Sequence, residues 1–293
     1  MFFKCKGSGG AVVTIDGVEV EDDLALSSKG SKDIDIGVLP YPFANGSASV
    51  LNEEIHIFGG YGSSYSTNHY KWNGSSWKKV STMPFSMVSG ESIVLNEEIH
   101  VFGDVTKHYK WNGSSWTSVS TMPNYTSYGS AVILDEEIHI LGSAYGNTES
   151  TNHCKWNGSS WTSVSTIPYY SQKSRAVVLD GEIHIMGSYY SDKVSNTYSK
   201  YHYKWNGSSW TSVSTLPIDF NNGGALTLNE EIHILYGKSH YKWNKSEWIS
   251  VSTLPVTFYN SDAVVLDDKI YMLGGSSSTT SAYIIAIPIY VIE

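Results

Sequence analysis

Six short runs of consecutive apolar residues recur along the chain, the clearest being Ala131, Val132, Ile133 and Leu134. Each run is apolar on both faces, which predicts a strand buried on both sides. A tight polar turn follows every run: Asn52-Glu53-Glu54, Asn96-Glu97-Glu98, Asp135-Glu136-Glu137, Asp180-Gly181-Glu182, Asn229-Glu230-Glu231 and Asp267-Asp268-Lys269. A second strand comes next, as in Ile55, His56, Ile57 and Phe58, and ends in Gly59-Gly60 or a degenerate form such as Gly103-Asp104, Gly142-Ser143, Gly187-Ser188 or Tyr236-Gly237. After a loop of variable length a third strand reads His-Tyr-Lys-Trp. An Asn-Gly turn then returns the chain into a fourth, Trp-Thr-Ser-Val-Ser, since Asn-Gly favours the positive φ that hairpins need. The stretch Lys-Trp-Asn-Gly-Ser-Ser-Trp occupies 71–77, 110–116, 155–161 and 204–210, with an altered copy at 242–248.

Prolines 40, 84, 123, 168, 217 and 255 mark the units, which makes the spacings 44, 39, 45, 49 and 38 residues. Four short antiparallel strands at that period predict a propeller blade, because one such sheet cannot bury both faces and must stack on neighbours. The fold class expected is therefore all-β, a six-bladed β-propeller of four-stranded antiparallel blades over residues 33–293. Only five Trp-containing turns serve six blades. The sixth lacks an outer strand, which residues 33–40 can supply because they align with 211–217 at the proline; the C-terminal residues 290–293 are the competing closure. Residues 1–32 stand outside the repeat. Around Asp16-Gly17 they carry a hairpin signal, and they are expected to form a small β appendage for attachment, with Phe2, Phe3, Val12 and Val18 as its apolar contacts.

An apolar strand, a turn, an aromatic or His between β-branched residues, a Gly pair, then Tyr and two spaced Trp: this pattern resembles the kelch repeat. It is best matched at residues 55–60 and 270–275 and covers residues 38–287. The resemblance implies a propeller that binds through loops on one face, and it brings enzymes into consideration, since some kelch propellers are galactose oxidase-like or sialic acid mutarotase-like. A copper site would need tyrosines, histidines and a cysteine to converge, and Cys154 sits in a repeated third strand. An anionic sugar calls for arginine, and Arg175 is the only one in the chain.

Composition narrows the partners. The formal net charge of -9 excludes a phosphate-tracking surface, because nucleic-acid affinity comes from clusters of Lys and Arg. No stretch of about 18 apolar residues is present to span a membrane, and the first residues lack the apolar run of a signal peptide; the expectation is synthesis in the cytoplasm. Cys5 and Cys154 read as free thiols. The ten histidines all fall at repeat positions, one ring of them in second strands and one beside third strands, which argues for structural use and against a convergent metal site. No cofactor is expected. Asn-Gly-Ser also matches the glycosylation acceptor, but the turn itself accounts for it.

In an up-and-down blade the first-to-second and third-to-fourth turns share one face, and these nearly repeat from blade to blade. The opposite face carries segments that differ in every blade, rich in Tyr, Asn and Ser, a composition that offers flat amphipathic contact and adaptable hydrogen bonds. Candidate contacts there are Tyr41, Phe43, Phe85, Tyr125, Tyr128, Tyr169, Tyr170, Phe220, Phe258 and Tyr259. The competing account is that these aromatics plug the gaps between blades. The function expected is a non-catalytic binding or structural propeller. Near-identical repeats, the Ser/Thr/Tyr/Asn-rich composition and the separate N-terminal hairpin resemble phage-tail or tailocin baseplate adhesins, which implies a cell-surface glycan or protein as ligand, other tail subunits as partners and assembly into a virion or tail-like particle. An intracellular interaction adaptor is the alternative, and a carbohydrate enzyme the third.

Overall fold

A computed structural model describes residues 13–15, 18–20, 35–103, 106–145, 148–191, 196–267, 269–274 and 283–288. Among them every regular element is a strand. Six antiparallel sheets form the ring, as the sequence pattern predicts. Their innermost strands are Ala44–Leu51, Glu91–Leu95, Ser130–Leu134, Arg175–Leu179, Gly224–Leu228 and Asp262–Leu266, each lying beside the next and the last beside the first. Within a blade the order follows the chain from the axis outward. In the fifth blade the loop is so short that the second and third strands run as one element, Glu231–Trp243, with His233 and His240 still meeting at 2.9 Å.

The sixth blade closes with the N-terminal strand Asp35–Val38, which pairs antiparallel with Tyr283–Pro288 through Val38 and Tyr283, Gly37 and Ile284, and Ile36 and Ile285. Closure by the chain's beginning is therefore the one adopted. The strands Val13–Ile15 and Val18–Val20 pair with Ile15 opposite Val18, the register of a two-residue hairpin turn. Phe2, Phe3 and Val12 lie outside the described residues, as do residues 290–293.

The repeated side chains build the joints between blades. In each of the first five blades the second-strand His Nδ1 meets the third-strand His Nε2, as in His56 and His69 at 2.8 Å. The outer His then meets a fourth-strand serine, here Ser81 Oγ at 2.9 Å. That serine accepts from the indole of the next blade, Trp116 Nε1 at 2.9 Å, and the link recurs from Trp161 to Ser120, Trp210 to Ser165 and Trp248 to Ser214. Each polar group along this His–His–Ser–Trp relay thus finds a partner. Two of the six joints lack the link: the sixth blade brings no tryptophan to Ser252, and the ring-closing joint has no serine. Trp77 Nε1 is buried without a partner, because Gly37 stands opposite Ile284 where Ser214 stands opposite His202.

The turn chemistry is equally local. Asn73 Oδ1 accepts from Ser75 N, Ser75 Oγ and Ser76 N at 2.9 to 3.1 Å, while Gly74 takes φ 88°. This is an Asx turn, and the same bonds recur at Asn112, Asn157, Asn206 and Asn244. In the first five blades the last glutamate of the acidic turn pairs with the lysine of the third strand, as Glu54 with Lys71 at 2.6 Å. Cys154 is buried and free, with its thiol pushed up to about 12 by desolvation.

Candidate functional site: the loop face and its tyrosine groove

The five residues after each boundary proline look unrelated, yet they share one geometry. The third residue is always buried: Phe43, Met87, Thr126, Ser171, Phe220 and Phe258 are all at most 1 % exposed. The fifth takes a left-handed φ between 49° and 61° in every blade, at Asn45, Ser89, Tyr128, Lys173, Asn222 and Asn260. That conformation turns its peptide toward the neighbouring blade. Asn45 N donates to Asn260 O (2.9 Å), Ser89 to Asn45 (2.8 Å), Tyr128 to Ser89 (2.7 Å), Lys173 to Tyr128 (2.9 Å), Asn222 to Lys173 (2.7 Å), and Ser261 to Asn222 (3.3 Å). Six hydrogen bonds form a closed belt around the axis at the loop face.

This corrects the list of contacts expected from sequence. Phe43, Phe85, Phe220 and Phe258 are core side chains, 0 to 5 % exposed. Phe43 packs with Ile55, Ile57 and Leu273, Phe85 with Phe58 and Met87, Phe220 with Met186, and Phe258 with Leu235. They fill the space between blades and are almost wholly withdrawn from solvent. Tyr41 is half-buried against Tyr70 and Phe43, its hydroxyl enclosed without a partner, and desolvation raises its pKa. Tyr259 leans on Tyr236, ring centroids 4.9 Å apart. Tyr128 holds the belt position and lies under the Lys173 ammonium, 5.1 Å from the ring centre, which also covers Tyr189 at 4.7 Å. Burial lowers the pKa of this lysine. Tyr125 and Tyr170 are exposed.

Tyr169 and Tyr170 open onto a groove of about 820 Å³ between the third and fourth blades. Its other lining includes Tyr198, Tyr201, Ser188, Ser199, Thr151, Thr166 and Lys200. The groove exists because the fourth-blade hairpin Glu182–Ser191 and Asn196–Trp205 extends past the body of the blade, with Ser188 paired to Ser199 and Tyr189 to Tyr198. Gly187 makes the bend possible: it takes φ 65°, and a Cβ there would stand 2.0 Å from the Phe220 carbonyl oxygen. Tyr169 forms the floor. It donates to Gly187 O at 3.2 Å and lies 4.9 Å from the Tyr201 ring and 5.5 Å from Tyr203. Tyr170, Tyr198 and Tyr201 present 52, 44 and 49 % of their surface to solvent. Among the described residues the lining thus combines flat aromatic faces with hydroxyls, carries no acid, and holds one cation, Lys200, whose Nζ donates to Pro217 O at 3.4 Å. Tyr198 is in a loop-face segment that sequence marks as variable; Tyr201 is hidden inside the third strand and became visible only through the hairpin's length.

Sequence reasoning marked Arg175 as the lone arginine but gave it no structural role. Four residues before the leucine that ends each inner strand stand Ser47, Glu91, Ser130, Arg175, Gly224 and Asp262, one layer around the axis. In three of the six blades this side chain caps the free edge of the next inner strand: Asp262 accepts from Ala48 N, Ser47 Oγ from Ser92 N, and Ser130 Oγ from Ala176 N, all at 2.8 to 2.9 Å. Arg175 instead reaches across. It donates to Gly223 O, Asn222 Oδ1 and Glu91 Oε1 at 2.8 to 2.9 Å. Asn222 Nδ2 in turn donates to Asn45 Oδ1 at 2.7 Å and Asn260 Oδ1 at 3.1 Å. Together they close the axis just beneath the belt. A signal was present in the sequence: this single arginine sits where the repeat otherwise places small or acidic residues.

Among the described residues no group of three or more His, Cys, Asp or Glu is placed to hold a metal ion, and no helix is long and apolar enough to cross a membrane. No known protein family matches the chain, and no curated protein resembles it in sequence. Solved structures do share its fold. One, described as the structure of YjhT, superposes with a TM-score of 0.75 over 86 % of this chain and 96 % of that one at 13 % identity. That likeness supports the propeller and speaks to nothing finer.

Proposed function

We propose that the chain is a non-catalytic binding propeller that recognises an uncharged stretch of cell-surface glycan through the tyrosine groove of its loop face. The observation that carries this reading is the groove itself: among the described residues, four tyrosines, four Ser or Thr hydroxyls and no carboxylate line about 820 Å³. Pyranose rings present apolar C–H faces and equatorial hydroxyls, and exposed tyrosine offers the matching ring and hydroxyl at small conformational cost. The belt bond at Lys173 anchors the segment that carries Tyr169 and Tyr170 before binding, which reduces the entropy lost on association. Attachment of the N-terminal hairpin to a tail or baseplate assembly fits the same reading, the propeller being the outward-facing receptor-binding part.

Binding of the whole chain to an array of bacterial surface polysaccharides tests this. Replacing Tyr170, Tyr198 and Tyr201 by alanine should weaken capture about 10- to 1000-fold if each ring contributes about 0.5–1.5 kcal/mol, with the melting temperature unchanged within a few degrees. Undiminished glycan capture by that variant refutes the assignment. Capture of a protein and of no glycan, lost in the same variant, would favour an interaction adaptor.

A further inference from the structure

Beneath the Arg175 layer the axis is hollow. A cavity of about 290 Å³ runs from Glu91, Arg175 and Asp262 past Ala48, Ala176 and Ala225 toward Val50 and Val94, room for roughly ten waters at about 30 Å³ each. Small residues at one register position in each inner strand, five alanines and Ser92, keep it open. The loop end is shut by Arg175, the three converging asparagines and the belt. The lumen is therefore blind and is entered from the turn-bearing face. From the charged layer to the leucines at that mouth is four residues of strand, about 13 Å at about 3.3 Å each.

The charges are unbalanced. Every direction Arg175 points in is taken by Glu91, Asn222 or a carbonyl. Asp262 spends both oxygens on backbone N–H groups, Ala48 at 2.8 Å and Ala263 at 2.9 Å. Glu91 gives one oxygen to Arg175 at 2.8 Å, and its other accepts from no described group. One excess negative charge is thus left at the floor of a tube whose walls carry alanine methyls together with the hydroxyls of Ser49, Ser92 and Ser130. At the mouth stand exposed turn acids, Glu53, Glu97 and Glu136 among them, and of the others Lys245 engages Asp180 and Glu230. Low-dielectric walls between two negative ends focus the field along the axis and favour entry of cations. A metal ion would find a single carboxylate oxygen. A cation with an apolar stem fits both the floor and the walls.

We propose that this lumen binds a linear aliphatic polyamine, its leading ammonium donating to Glu91, its methylenes against the alanine walls and its trailing ammonium among the mouth carboxylates. The site is separate from the tyrosine groove and lies at the opposite face. Desolvation, with Asp262 nearby, holds the Glu91 carboxyl up at about 7 against the pull of Arg175, so occupancy should strengthen as pH rises from 6.5 to 8.

Calorimetric titration of the full chain with spermidine at pH 8 and low salt is the test, with tetramethylammonium and magnesium as comparison cations. Saturable binding at one site is expected, weakened at least ten-fold in Glu91→Gln and in Ala225→Leu. The second variant fills the lumen without touching a charge and decides the matter if Glu91→Gln fails to fold. Spermidine binding retained in Ala225→Leu, displaced by magnesium at equal charge, or absent up to millimolar concentrations overturns the proposal.

Discussion

Acidification should unfold this protein well above the pH at which carboxylates protonate, because the five histidine pairs are built to stay neutral. Burial holds the inner-side histidines 56, 100, 139, 184 and 233 down at about 4. Their partners 69, 108, 153, 202 and 240 lie at about 3, lowered by burial and then by the neighbouring histidine and lysine. The turn glutamates beside them oppose this but are already paired with those lysines. For a base whose folded pKa is depressed, the unfolded chain takes up protons first as pH falls. Stability is then complete above about 6.5 and is lost on the way down to about 4.

At pH 5.5 an unfolded histidine near 6.5 contributes about 1.4 kcal/mol toward unfolding. Ten of them would total about 14 kcal/mol, or about 7 if each coupled pair counts once, against a typical whole-domain stability of about 5–15 kcal/mol. Glu91 pulls the other way, its raised carboxyl returning about 2 kcal/mol over the same interval. Scanning calorimetry from pH 8 to 5 should therefore show a flat melting temperature down to about 7, then a steep fall with complete unfolding between about 6 and 5. The sixth blade already carries Tyr271 and Ile284 at the equivalent positions, so the variant His56→Tyr with His69→Ile should flatten that slope by about a fifth. A melting temperature constant from 7.5 to 5.5 refutes the reasoning.

Three further substitutions probe the joints. Arg175→Met leaves Glu91 and Asn222 without their partner and should cost about 3–5 kcal/mol at pH 8, less at pH 6.5 where Glu91 takes up a proton, as read by urea denaturation. Gly59→Ala should cost well over 2 kcal/mol, since φ is 66° and a Cβ would stand 2.1 Å from Met87 O, whereas Gly74→Ala, with nothing within 4 Å, should cost only about 1 kcal/mol of backbone strain; equal losses in thermal melts would contradict this. Gly37→Ser supplies the missing acceptor for Trp77 Nε1 and should gain about 1 kcal/mol provided Ile284 Cγ2, 3.0 Å from the new Cβ, turns aside; a loss would show that the last joint cannot accept the serine.

Strand number, blade order and ring closure were legible because strands with both faces apolar, Asn-Gly turns and prolines are local signals that repetition amplifies. Histidines at one position per blade were readable as structural for the same reason, although their direct pairing depends on a register between strands that no single strand encodes. The loop face was legible in outline only. Phe43 and Tyr170 both follow a proline in a Tyr- and Ser-rich segment, yet one is wholly buried and the other half-exposed. The difference lies in their offset from the proline, the third residue turning inward and the second outward, and that offset acquires meaning only when the belt fixes the segment's path. Arg175 was given no structural role because its partners, Glu91 and Asn222, lie 84 and 47 residues away, a separation across which sequence spacing carries no geometry.

The central claim is that ligand is taken at the groove between the third and fourth blades. A crystal structure of the chain soaked with the best glycan from the array tests it most directly. Sugar density stacked on Tyr170, Tyr198 and Tyr201, with the belt unmoved, is the result this account predicts. Density over the turn-bearing face or along another blade edge, with the groove empty, would contradict it.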